Sequence, residues 1–405
     1  MTRATEDLAI PEALRPYAGR IVDVDTHEMI PSQLWRQEFG PATDEFASIF
    51  QLLAPDDPTG ANFPNYKVDD APITDESIWK MKGPAAPGAV DPARRVEIMD
   101  RTGVSRQMMF PSAVAVFGSM LFNFPPEYGF MPQFKGDRKA YGKALFDANN
   151  DWAIRKAKVS DRIWPVPVVY GDTVEDLVAN TRHLLDSGIR AILIMSAVLP
   201  GGRSPAHTDL DPFWRLITER DATATLHIGS EGGFLKTDAW GDAPAFEGYK
   251  TTGEVNLSPW NLSIIHLPTQ NFLATMVVGG VFDRHPTLRF GVIEVGAFWI
   301  GPLASQLDMW CAHNQLFSKT KTVPLSMKPS EFIRRNVRVT AFDFEPVDDY
   351  IDRYGLEDVY CYASDFPHME GGKDPMGFFA KRLARLGPGV MEKFFVTNGE
   401  WLLPG

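Results

Sequence analysis

Short apolar runs rich in β-branched residues alternate with amphipathic stretches along most of the chain, a pattern that predicts strands and helices in turn around a parallel sheet. The strand candidates are residues 21–27, 106–111, 163–170, 191–196, 223–229, 288–295, 337–343 and 359–365. Eight such strands close a (β/α)8 TIM barrel, so the fold class expected is α/β. Helix candidates fill the intervals at 92–103, 139–159, 174–187, 211–221, 258–283, 297–317 and 345–354, with a helical pair after residue 374. The first opens on Asp91 and Pro92, a cap followed by a first-turn proline. With no internal repeat or low-complexity tract, residues 1–405 read as a single metal-dependent barrel domain.

Two connections interrupt the alternation. Residues 28–91 follow the first strand and 111–138 the second, both longer than the ~12–15 residues of an ordinary structureless loop. Their aromatic content is high: Trp35, Phe39, Phe46, Phe50, Phe63 and Trp79 in the first, Phe117, Phe122, Phe124, Tyr128, Phe130 and Phe134 in the second. Loops that follow barrel strands gather on the catalytic face. Two readings stay open: lid-like insertions covering a bulky apolar substrate, or aromatics that pack the loops onto the barrel or onto a second subunit.

Composition narrows the partners. The 405 residues are 44% hydrophobic and 23% charged, enough to bury a large core. Forty basic against 52 acidic residues leave a formal charge of −12, and the basic ones are scattered, which argues against nucleic acid. Arg94, Arg95 and Arg284 read as ordinary surface cations. The two cysteines, Cys311 and Cys361, fall in a helix and a strand and imply no disulfide framework. The first twenty residues have no apolar signal region, and no window approaches the ~18 apolar residues of a membrane span. A soluble, cytoplasmic protein is expected.

Polar residues at strand ends carry the candidate chemistry. Alternation along the first strand puts Asp23, Asp25 and His27 on one face, an expensive arrangement inside a barrel unless a cation compensates it. Asp25 and His27 are expected ligands, with Asp23 one layer deeper and Glu28 next along the chain. His227 ends the fifth strand, where a lone histidine is as readily a hydrogen-bonded interior group. Glu294 closes the apolar run FGVIEVG and needs a positive partner. Asp365 and His368, in SDFPH, follow the eighth strand, and with histidines on strands one and five they form a metal constellation. His266 stands open between a ligand or proton-transfer role and a structural one. His183, His285 and His313 read as surface or structural, and His207 as solvent-exposed.

The segments VDVDTHE, TLHIG, GGVFDRHPTLRFGVIEVGAFWIGPLASQLD, YASDFPHMEG and EKFFVTNGEWLL resemble the amidohydrolase-related family of metal-dependent TIM-barrel enzymes, which includes aminocarboxymuconate-semialdehyde and resorcylate decarboxylases. The likeness implies metal positions at Asp25, His27, His227, Glu294 and Asp365. It also has departures. Such decarboxylases usually begin H-x-H or E-x-H, whereas Asp25 stands first here, and Glu294 replaces a histidine. The fourth strand, AILIMSAV, lacks the lysine that bridges two ions in binuclear hydrolases of the wider superfamily. More narrowly, the chain resembles TIM-barrel non-haem diiron monooxygenases of platensimycin-type diterpenoid antibiotic biosynthesis, whose members act on coenzyme A-linked substrates.

Three functions follow as expectations. The first is an oxidoreductase with two iron ions held by Asp25, His27, His227, Glu294, Asp365 and His368, with Glu28 and His266 as catalytic groups. It would hydroxylate a terpenoid-like coenzyme A thioester, using O2 and an external electron donor. The second is a mononuclear zinc or manganese hydrolase or decarboxylase. The third is a barrel that has lost its chemistry and binds an acyl ligand. Exposed aromatics in the long loops make a homodimer plausible.

Overall fold

A computed structural model describes residues 9–53, 68–124, 134–229, 243–247, 259–316 and 324–405. Eight strands occur where the pattern places them: β1 Ile21–Asp23, β2 Val104–Met109, β3 Ile163–Pro165, β4 Ala191–Leu193, β5 Thr223–His227, β6 Arg289–Ile293, β7 Val337–Thr340 and β8 Tyr360–Cys361. All ladders are parallel, in the orders β1-β2-β3 and β4-β5-β6-β7-β8. Single bridges join the two arcs. Val168 pairs with Leu193 on one side, and on the other Thr26 pairs with Phe366 while Val24 N–H donates to the Tyr362 carbonyl at 3.1 Å. The result is a closed TIM barrel, which leaves few sheet edges unpaired.

The observed strands are shorter than the apolar runs at their C-terminal ends. Glu294 and Asp365 have φ of 56° and 52°, left-handed values that end a ladder and turn the next residues away. Those turns put the polar residues at the mouth rather than in the sheet.

The outer ring matches the expected helices at Pro92–Thr102, Arg138–Lys156, Val174–Asp186, Asp211–Glu219, Ile300–His313 and Val347–Tyr354. Asp91 caps the first, accepting from Ala93 N–H at 2.9 Å. The single helix expected over 258–283 is instead broken into Pro259–Ile264, Leu267–Val278 and Val281–Arg284. Gly280, at φ 73°, separates the last two. Pro329–Asn336 is a helix that the hydrophobic pattern did not indicate. After Leu383 the chain passes through short helical turns to Asn398–Leu402, packed beneath β1, β6 and β8.

Both long connections carry helices. Trp35–Phe39, Asp44–Leu53 and Asp75–Lys80 lie in the first and Ala113–Asn123 in the second. Trp35, Phe39, Phe46, Leu121 and Phe134 are buried in the main core, and the Trp35 and Phe46 rings stack with centroids 5.0 Å apart. These aromatics therefore pack the connections onto the barrel. Phe63, Tyr128 and Phe130 lie outside the described residues, as does the side chain of Phe50.

One expected surface cation is not at the surface. Arg95 is 1% exposed, donates to the carbonyls of Gly88 at 2.8 Å and His27 at 2.7 Å, and lies over the Phe366 ring at 4.6 Å. Its place one residue after Arg94, on an amphipathic helix, gives no sign of this. Burial lowers its pKa to about 10. Cys311 and Cys361 are both free. No helix among the described residues is long and apolar enough to cross a membrane.

Helix-to-barrel packing around β6 sets the position of the strand that leads to Glu294. Phe290 is fully buried there against Trp214, Phe272 and Phe282. Truncating a core phenylalanine costs about 3–5 kcal/mol, because the cavity only partly closes. Phe290→Ala is expected to lower the urea-unfolding free energy by about that amount and Phe290→Leu by less than half of it. A Phe290→Ala loss under about 1 kcal/mol would contradict this packing.

Candidate metal centre

The C-terminal end of β5 and the segments that directly follow β1, β6 and β8 bring their polar residues to one point at the mouth. Asp25, His27, His227 and Glu294 form one quartet of donors, and His27, Glu294, Asp365 and His368 a second that shares two members with it. All six are buried. His27 Nε2 lies 3.4 Å from Asp25 Oδ1, 3.3 Å from Glu294 Oε2 and 3.4 Å from Asp365 Oδ1. His227 Nε2 is 3.1 Å from Glu294 Oε2 and 3.5 Å from Asp25 Oδ1, and His368 Nδ1 is 3.4 Å from Asp365 Oδ1. The His27 and His368 rings stack at 3.8 Å.

These spacings bear on whether an ion fits. Donors bound at about 2.0–2.2 Å sit roughly 3.0–3.5 Å apart along the edges of a tetrahedron or octahedron. Asp25 Oδ1, His27 Nε2 and Glu294 Oε2 are buried and make no hydrogen bond, a costly state for three converging polar atoms. Mixed carboxylate and imidazole donors suit zinc, manganese or iron. Spacing, orphaned atoms and donor chemistry thus all fit a divalent cation.

Tautomers point the same way. His227 Nδ1 lies 2.9 Å from the Ile228 carbonyl, an acceptor, so Nδ1 carries the hydrogen and neutral Nε2 turns its lone pair toward Glu294 and Asp25. The single hydrogen of the Ser112 hydroxyl goes to the Glu28 carbonyl, so Ser112 Oγ accepts from His368 Nε2 at 3.2 Å and leaves the His368 Nδ1 lone pair facing Asp365. This outer contact of a ligand-type histidine is of the kind that orients it for a metal.

The electrostatics follow from crowding. Burial opposes protonation of His227, but the Asp25 and Glu294 carboxylates outweigh it and push the imidazole up to about 10. Burial resists ionisation of Glu294, yet His227 and His27 hold its carboxyl below the usual range. Burial, and His27 next to it, press His368 well below the ordinary histidine value. Protons and a cation therefore compete for the same lone pairs.

The backbone that presents the carboxylates is fixed from outside. Glu294 N–H donates to Thr340 Oγ1 at 2.8 Å, and Asp365 N–H to the Asp25 carbonyl at 2.9 Å. The loop after β6 is tied to that after β7 by Glu345, whose buried carboxylate accepts N–H from Ala297 at 3.0 Å, Phe298 at 3.0 Å and Phe342 at 2.8 Å. Asp23 lies deeper, accepting Ser364 N–H at 3.0 Å, and burial raises its carboxyl to about 7. A small cleft beside the donors is lined by Asp25, Glu294, Thr340, Phe342, Asp343, Asp365 and Glu370.

Two expected catalytic groups stand apart. Glu28 is in neither quartet. Its two oxygens accept Ser112 N–H at 2.9 Å and Ile30 N–H at 3.0 Å, and burial raises its carboxyl to about 7. His266 is half-buried, edge-on to Phe298 at 4.8 Å, and also in neither quartet. Arg95, Ser112, Thr340 and Glu345 support the site but carry no local sequence signal, because each acts through backbone groups brought near only by folding.

The comparisons with known proteins agree with this architecture. The family profile described as amidohydrolase matches residues 122–404. No curated protein matches the chain in sequence. Among solved structures, an amidohydrolase of Mycobacterium avium subsp. paratuberculosis K-10 is similar at TM-score 0.64 and 20% identity, covering 95% of this chain and 99% of that one. The 5-carboxyvanillate decarboxylase LigW of Sphingomonas paucimobilis is similar at TM-score 0.56 and 15% identity, covering 95% and 98%. The 5-carboxyvanillate decarboxylase LigW2 of Novosphingobium aromaticivorans, solved with bound manganese, has TM-score 0.56 and 16% identity, covering 95% and 97%. With a profile spanning well over half its length and a closed barrel bearing acidic and imidazole side chains at its mouth, the chain belongs to the amidohydrolase family.

Proposed function

We propose that the chain is a metal-dependent decarboxylase or hydrolase in which Asp25, His27, His227 and Glu294, with Asp365 and His368 adjoining, hold a divalent manganese or zinc ion. The observation that carries this reading is the convergence of six buried donors, three of them with orphaned atoms, at the catalytic end of the barrel. The neighbours named as decarboxylases, one of them holding manganese, favour a carboxylic acid as substrate. A bound ion would supply Lewis acidity, polarising a substrate carboxylate or lowering the pKa of a bound water toward about 7.

The side chains have separable tasks. Ile228 O and Ser112 fix the His227 and His368 tautomers. Thr340 and Glu345 hold the loop that carries Glu294. Asp343 and Glu370, carboxyls of the adjoining cleft outside both quartets, are placed to exchange a proton with a bound acid.

The overlap of two quartets favours a second reading. The six donors would divide between two ions, His27 serving one of them because its Nε2 has a single lone pair. Two irons held this way would suit an O2-dependent monooxygenase with an external electron donor, acting on a bulky coenzyme A-linked substrate.

Elemental analysis of anaerobically purified protein, with turnover of aromatic carboxylic acids followed by CO2 release, separates the two. One equivalent of manganese or zinc and CO2 release without O2 is the expected result. Two equivalents of iron with substrate-dependent O2 uptake would select the monooxygenase, and protein without metal would sink both. Glu294→Gln and Asp365→Asn keep side-chain shape but remove charge, and are expected to lower metal affinity at least tenfold to a hundredfold. Ser112→Ala should weaken it about tenfold by freeing the His368 ring, as read by competition with a chelator. Wild-type affinity in all three variants would contradict the ligand assignment.

A further inference from the structure

Eight large apolar side chains are exposed among the described residues, and four of them lie on loops that follow barrel strands. Three belong to the loops that surround the donors: Phe298 at 46% after β6, Phe344 at 65% after β7 and Met369 at 40% after β8. Phe344 stacks on Phe342 with centroids 5.4 Å apart and planes 8° from parallel. Phe342 in turn lines the cleft that contains Asp25, Glu294 and Asp365, so the Phe342–Phe344 pair leads from the donors outward, with Phe298 and Met369 on the loops after β6 and β8. Met369 directly follows His368.

The strip is held in place. Glu345 draws the Phe298 and Phe342 N–H groups onto one buried carboxylate, joining the loops after β6 and β7. His266 packs on the Phe298 ring, edge to face at 4.8 Å. Exposed aromatics on a fixed backbone at a concave site contribute apolar contact at little ordering cost. Solvent-facing aromatics next to charged donors would be an aggregation liability without an occupant.

The geometry points to Phe298, Phe342, Phe344 and Met369 as the binding surface for an apolar body of the substrate, larger than one ring, that projects past the barrel mouth while its acid group meets the centre. This rests on the proposed metal-dependent reading, and it adds a size and polarity requirement and the residues that impose it. The occupant is the substrate rather than a second protein because the strip is continuous with the donor cleft through Phe342.

Calorimetry on the full chain loaded with manganese tests this, with acetate, benzoate and 2-naphthoate as probes. Affinity is expected to rise about tenfold or more with each added ring, the scale of one buried apolar contact. Phe344→Ala and Phe298→Ala should each weaken 2-naphthoate about tenfold and leave acetate unchanged, while Phe344→Leu retains most of the affinity. Circular dichroism and urea midpoints check that the variants are folded. Equal affinities across the three acids, or variants that bind 2-naphthoate like the parent, would overturn the inference. A change in oligomeric mass without a change in affinity would overturn it too, making the strip a face between copies. Manganese uptake and the neutral 2-naphthamide separate the two layers. Loss of uptake with naphthamide still bound tightly would sink the metal reading alone, and uptake with no ring dependence would sink the strip alone.

Discussion

The mouth of this barrel depends on how negative charge is balanced where water is excluded. Three carboxylates and three imidazoles meet within a few ångströms, all buried, at the ends of β1, β5, β6 and β8. Like charges at such range disfavour ionisation, and burial adds to the cost. Protonated His27 and His227 can offset part of it, but the geometry leaves Asp25 Oδ1, His27 Nε2 and Glu294 Oε2 without a well-aligned hydrogen bond. A divalent cation satisfies the converging lone pairs together, which is why the tautomer-setting contacts of Ile228 O and Ser112 read as part of the same device.

The surrounding structure is organised to hold that cluster against its own repulsion. Glu294 and Asp365 both occupy left-handed backbone conformations that ordinary residues avoid, a state that persists only when neighbours over-determine it. Each is tied by its own N–H, to Thr340 and to the Asp25 carbonyl. Arg95 does the same for His27 through its carbonyl while covering Phe366. Strain at the donors and hydrogen bonds beneath them are two sides of one arrangement, since a looser mouth would let the carboxylates separate.

Much of this was legible in the order of residues. Eight strands and most outer helices follow from apolar periodicity, and Asp25, His27, His227, Glu294, Asp365 and His368 stand out because polar groups at the ends of apolar runs need an explanation. The helix Pro329–Asn336 was not legible, its apolar positions being few and its packing, against Ile300–His313, Leu267–Val278 and β7, set only by the fold. Nor was the true position of the first connection's aromatics, because a core residue and a lid residue have the same composition. Arg95 looked like Arg94, and only the fold brings the His27 carbonyl to it. Glu28 follows a ligand motif and is expected as a catalytic group; its two oxygens accept the Ser112 and Ile30 N–H groups, contacts that only the fold brings to it.

The division of the six donors into two overlapping quartets constrains the chemistry more than their number does. If all six lay within one compact group, a single octahedral ion would account for them. Instead Asp25 and His227 belong to one quartet, Asp365 and His368 to the other, with Glu294 and His27 between. A single ion would therefore leave some donors outside its bonds, free to orient a substrate acid or relay its proton. Two ions would use them all, and the ion without His27 would be the more weakly held. The apolar strip fits either case, because Phe342 reaches the cleft from the loop after β7, which supplies none of the six donors.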